Sequence, residues 1–95
     1  MYTGLTTGTG AAINIEMGFT PNYVRVCNIT DSIILEWSNT MGAGKGIKHN
    51  ATGVVAAVSS NGITASTSSD TFRGITLGTD GVNTTGDQLS VIAFR

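Results

Sequence analysis

Three observations predict a small all-β domain, an antiparallel sandwich or a barrel-like sheet. Turn chemistry recurs about every eight to twelve residues, the segments between turns alternate apolar and polar side chains, and no window carries a capped pattern of helical period. The chain is 95 residues long. That is one core's worth of sequence, so a single domain over residues 11–95 is expected, preceded by residues 1–10.

The first ten residues hold four Thr and three Gly with one Leu and one Tyr. They read as an extended N-terminal arm, mobile until something binds it, with Tyr2 and Leu5 as its only anchors. From Ala11 the pattern alternates, with Ile13, Ile15 and Met17 against Asn14 and Glu16, which is the period of a half-buried strand. Gly18 to Pro21 turns the chain, because Pro21 fixes its own φ and biases Thr20 toward extended conformations. Tyr23 to Asn28 is the next strand, Val24 and Val26 facing one way and Tyr23, Arg25 and Cys27 the other. After an Asn-Ile-Thr-Asp-Ser turn, Ile33, Leu35 and Trp37 alternate with Ile34, Glu36 and Ser38, so the two runs predict a hairpin.

Residues 39–50, with Gly42, Gly44 and Gly46 among Lys45, Lys48 and His49, read as the longest loop. Val54, Val55 and Val58 mark a short buried strand over 53–59, and Ser60-Asn61-Gly62 a tight hairpin turn. Residues 63–70 are mostly Ser and Thr and specify little. Phe72, Ile75 and Leu77 restore a strand over 71–78, Thr79-Asp80-Gly81 turns again, and 83–87 is turn-rich. Leu89, Val91 and Ala93 against Ile92 and Phe94 predict the closing strand.

Composition narrows the function classes. Net charge is −1 and the five Lys and Arg are scattered, which argues against a nucleic-acid backbone as partner. Charged residues are 12% of the chain, about half the usual share, and a surface of short uncharged polar groups is easily desolvated against a neighbour. One cysteine, Cys27, excludes an internal disulfide and reads as structural; one histidine leaves no zinc set. Six aromatic residues make a thin supply of large core side chains, and small domains in that position turn to oligomerisation or to clamping onto a larger body. No signal-peptide pattern opens the chain, and no apolar run approaches a membrane span. The sequons at Asn28, Asn50 and Asn83 read as accidents of a Thr- and Asn-rich composition.

The chemistry-bearing candidates are sparse. Gly42-Ala43-Gly44-Lys45-Gly46 lacks the Ser or Thr after Lys and the following helix that a phosphate loop needs. His49 with Asp31, Asp70 or Asp80 and a serine could compose a hydrolytic triad on paper, but no nucleophile-elbow pattern surrounds a serine, and a solvent-exposed loop histidine is expected. Glu16 and Glu36 sit on polar strand faces as surface charges, and Asp80-Gly81 with Asp87 lacks the dense acidic spacing of a calcium loop. Trp37 is in phase with Ile33 and Leu35, which favours the core over a contact surface. The reading is therefore of a protein that is not an enzyme, with no cofactor, no metal and no small-molecule ligand.

Gly18-Phe19-Thr20-Pro21-Asn22-Tyr23-Val24-Arg25-Val26, Asn28-Ile29-Thr30-Asp31, Trp37, the Met41 to Gly46 loop, Ser60-Asn61-Gly62-Ile63, Gly74 to Asp80 and the Val82-Asn83 to Gly86-Asp87 segment resemble a family of small tailed-bacteriophage virion proteins, the head decoration or cement proteins. The resemblance covers about four-fifths of the chain, from Gly18 onward. It departs at Gly74, which follows Arg73 where an aromatic-Ser/Thr/Ile strand start would be typical, and this leaves the register of that strand open.

The resemblance implies a structural protein made in the bacterial host cytoplasm and carried on the capsid exterior. There, commonly as a homotrimer, it bridges neighbouring capsomers of the major capsid protein without catalysis. Tyr2, Leu5, Trp37, Lys45 and Lys48 are the candidate capsid or subunit contacts. Two alternatives remain: a carbohydrate- or receptor-binding module of a tail fibre or baseplate, with Trp37 as the stacking residue, and a small hydrolase built on His49.

Overall fold

The computed structural model describes residues 1–80 and 82–95; Gly81, part of the turn expected at Thr79-Asp80-Gly81 and of the acidic loop weighed for calcium, lies outside the described residues. The fold is all-β. Eight strands, β1 (Tyr2–Thr7), β2 (Ile13–Glu16), β3 (Tyr23–Asn28), β4 (Ile33–Ser38), β5 (Lys45–His49), β6 (Val55–Ala65), β7 (Gly74–Leu77) and β8 (Gln88–Phe94), form one antiparallel sheet in the order β1-β8-β3-β4-β5-β6-β7-β2. The sheet curls into a half-barrel.

Its concave side is the core. Thirteen buried apolar residues line it, running from Ala93, Val91 and Leu89 on β8 through Val24, Val26, Leu35 and Trp37 to Ile63, Ile75, Leu77 and Ile15 on the far strands. Trp37 is the one aromatic residue among them; small aliphatic side chains fill the rest, and Tyr2, Met17 and Phe19 pack at the margin. The hairpin of β3 and β4 pairs as the alternation dictates, Val24 opposite Trp37 and Val26 opposite Leu35.

Four expectations are corrected. Residues 2–7 are extended but not a free arm: they are the edge strand β1, paired with β8 from Tyr2↔Ala93 to Thr7↔Gln88. Tyr2, Gly4 and Thr6 face inward, and the Tyr2 ring lies over Gly4, where a Cβ would collide with it. The stretch 39–50 is not one long loop, because Lys45–His49 forms β5 between β4 and β6. Glycine content concealed that strand, yet Ile47 and Lys48 find partners on both sides.

Ser60-Asn61-Gly62 is not a hairpin turn but the corner of β6. Residues 55–58 pair with β5 and residues 63–65 with β7, and the register jumps between Gly46↔Val58 and Lys45↔Ile63. Asn61 there has φ 60, and Gly62 N–H donates to Gly44 O at 2.9 Å. The turn residues are used to fold a strand over itself, which re-aims half of it toward β7. Finally, the strand over 53–59 is buried on one side only: Val58 is in the core, but Val54 and Val55 are 60% and 58% exposed.

Gly74 settles its own register. It pairs with Glu16, and a Cβ at this position would strike the Ile15 carbonyl oxygen, so the close approach of β2 to β7 requires glycine.

Two buried asparagines stitch the loops at one end. Asn83 accepts from Thr9 N–H at 2.9 Å and donates to Ala11 O at 2.7 Å and Gly78 O at 3.0 Å. Asn28, fully buried, donates to Val82 O and Asp87 Oδ2 and accepts from Asp31 N–H. Each satisfies backbone groups that turns leave unpaired. Such enclosure makes neither amide a glycan acceptor.

Candidate functional site

The five expected contact residues do not converge. Trp37 is 3% exposed and its indole N–H donates to Gly42 O at 2.8 Å, so it is a core residue and no stacking platform. Tyr2 packs against the core margin on the concave side. Lys48 pairs in register with Leu35, which turns it inward, and its ammonium lies 3.1 Å from Asp80 Oδ2 and 3.3 Å from Oδ1. With both side chains mostly covered, that cation serves the fold. Leu5 and Lys45 are exposed on the outer side, but β8, β3 and β4 stand between their strands.

What the fold does assemble is a surface, the outer, convex face of β1, β8, β3, β4, β5 and the first half of β6. Register fixes its rows. One runs Thr3, Ile92, Arg25, Glu36, Ile47, Ala57; the next runs Leu5, Ser90, Cys27, Ile34, His49, Val55. Phe94 and Tyr23 stand side by side beyond them, ring centroids 6.0 Å apart. Leu5, Val55 and Phe94 are exposed at 65%, 58% and 44%, while Ile92, Ile34 and Ile47 are half-buried among their neighbours. A sheet with a filled concave side thus carries a second apolar face toward solvent.

At the centre of that face lies a polar line across three strands. Tyr23 Oη donates to Glu36 Oε2 at 2.6 Å, and His49 Nε2 lies 2.9 Å from Glu36 Oε1. The Tyr23 hydroxyl foremost, with His49 and the nearby Arg25, holds the Glu36 carboxyl below the usual carboxylate range against the opposing effect of burial. Tyr23 moves the other way, raised by burial and by the hydrogen bond and negative charge of Glu36. His49 is therefore not the loop histidine expected but a strand residue with a carboxylate partner.

An oriented imidazole beside a carboxylate is half of a proton-relay arrangement. The other half is missing among the described residues: no serine or cysteine hydrogen-bonds to His49, the imidazole is 41% exposed, and no pocket opens beside it to hold a substrate. Among the described residues there is likewise no group of three or more His, Cys, Asp or Glu side chains placed to share a metal ion. Tyr23, Glu36 and His49 thus satisfy one another's polar atoms on the outer face.

Sequence reasoning placed Tyr23 and Glu36 on strands and missed their line to His49. The signal was partial: the alternation puts Glu36 opposite the core face, but only the existence of β5 brings residue 49 beside it.

Compared with protein-family models, curated proteins and solved structures, the chain finds no match.

Proposed function

We propose that this is a structural virion protein that decorates the exterior of a phage capsid and bridges neighbouring capsomers. In this reading it acts as a homotrimer, with the major capsid protein as partner and with no catalysis or cofactor. The observation that carries the reading is the outer sheet face, where Leu5, Ile92, Phe94, Ile34, Ile47 and Val55 surround the Tyr23-Glu36-His49 line and the exposed Arg25. Such a face associates by area and shape rather than by charge, and many weak copies on a lattice reach avidity together. The resemblance of the turn and strand punctuation to head decoration proteins supplies the lattice. The tail-module alternative depended on an exposed Trp37, and a tryptophan 3% exposed removes that anchor.

Purified protein mixed with expanded, undecorated capsid shells and sedimented tests the proposal. Wild type co-sediments; Ile47→Glu, which places a charge in the middle of the outer face, binds at least roughly tenfold more weakly with its melting temperature retained. Ser68→Glu, on an exposed loop away from the face, binds as wild type. Failure of the wild type to co-sediment, or unchanged binding by Ile47→Glu, overturns it.

A further inference from the structure

The two edges of the sheet are unlike. Strand parity can be read from the hydrogen bonds that extend the ladders. Gly8 N–H donates to Asp87 O, one step beyond Thr7↔Gln88, so residues 2, 4 and 6 of β1 spend their backbone groups on β8. On the opposite side of β8, Ile29 N–H donates to Gln88 O, which assigns residues 88, 90 and 92 to β3 and leaves 89, 91 and 93 for β1, in agreement.

Thr3, Leu5 and Thr7 therefore aim their N–H and C=O groups outward. All three residues are exposed, and their backbone groups have no partner among the described residues. At the far edge, Met17 N–H donates to Arg73 O, and the same parity leaves only Asn14 and Glu16 facing out.

Sheet edges are normally defended by shortness, charge, proline or a bulge. The β2 edge is short and acidic. The β1 edge has none of these defences: it is six residues long, unbulged, and the first charged side chain in the chain is Glu16.

We propose that β1 is the site where a second copy of this chain adds by antiparallel strand pairing across a two-fold axis through Leu5. The edge is self-complementary about that residue. Leu5 meets Leu5 of the second copy, and Thr3 meets Thr7 in both directions. Each outward N–H thereby finds an outward C=O, and no charged side chain is placed opposite another. The paired side chains are a Leu–Leu contact flanked by β-branched Thr–Thr contacts, favourable cross-strand neighbours. The pairing joins two half-barrels through their β1 strands, with Leu5 at the seam, and leaves the outer face from β8 to β6 free. It does not depend on the capsid reading, and as a closed two-fold pair it would be an interface additional to, or in place of, the three-fold contacts of the trimer proposed above.

Sedimentation of the isolated full chain, with amide exchange followed residue by residue, tests the proposal. The wild type is expected to self-associate as protein concentration rises, with the Thr3, Leu5 and Thr7 amides becoming protected over the same range. Leu5→Lys and Leu5→Glu keep every bond to β8 but place like charges opposite each other. Each alone remains dissociated where the wild type is associated, and an equimolar mixture of the two recovers the assembly. Both variants keep the wild-type β spectrum, or Leu5→Pro, which removes only an outward N–H, takes their place. A chain monomeric at all concentrations, an oligomer in which those three amides exchange freely, or protection that appears only when capsid protein is added would each overturn the pairing. The second and third results leave the decoration reading standing.

Discussion

Glu36 and Asp31 are carboxylates pushed in opposite directions by their neighbours. The Tyr23 hydroxyl, first, with His49 and Arg25, lowers Glu36, whereas Asp31 is raised by the hydrogen bond that its protonated carboxyl donates to Asp87, first, then by desolvation and the Asp87 charge. A carboxyl depressed in the folded state stabilises the fold above its unfolded pKa, and that contribution disappears as pH falls through the folded value. Tyr23→Phe removes the largest cause, so the Glu36 titration, followed by carboxyl NMR, should move up toward the ordinary range. The variant should also lose less stability than wild type on acidification below about pH 4. For Asp31 the sign reverses. Its raised pKa means a stabilising contribution present below the unfolded value and lost as pH rises through the folded one, so ionising Asp31 at neutral pH weakens the fold. Asp31→Asn should raise the melting temperature at pH 7, and the gain should be smaller near pH 3, where Asp31 carries its proton. An equal gain at both pH values would contradict the assignment.

At the scale of elements, Gly74 makes the sharpest case. With the Ile15 carbonyl where a Cβ would stand, Gly74→Ala must separate β2 from β7. A cost on the order of 1–3 kcal/mol is expected, equal to a loss of roughly 4–8 °C in melting temperature per kcal/mol for a domain of this size. A thermal melt showing no loss would contradict the register. Legibility also divides at this scale. β3 and β4 could be read because Val24, Val26, Leu35 and Trp37 alternate cleanly between two turn signals. β1 could not, since its inward positions are Tyr2, Gly4 and Thr6, too weakly apolar to announce a buried side. β5 was masked by glycines that read as loop. The β6 corner was masked because Ser60, Asn61 and Gly62 serve a bend within a strand with the same backbone freedom that they bring to a hairpin.

Over the whole molecule, the all-β class and a barrel-like sheet as one of two options followed from period and punctuation, but the strand order of the half-barrel did not. β6 passes from β5 to β7 through a register jump, and a register jump leaves no periodic trace. The outer face was legible only as separate residues, because its rows join strands distant in sequence: Leu5 and Cys27 share a row with Ile34 and Val55. Two apolar sides, a filled concave one and an open convex one, account for a domain with few large core residues that carries much of its remaining hydrophobic surface outward. In the proposed decoration role, that surface is what the capsid lattice would cover. The measurement that tests the proposed decoration directly is the copy number of this protein in purified, washed phage particles, by quantitative mass spectrometry against the major capsid protein. The account predicts a copy number of the same order as the major capsid protein; absence from the particle, or the few copies of a tail component, would contradict it.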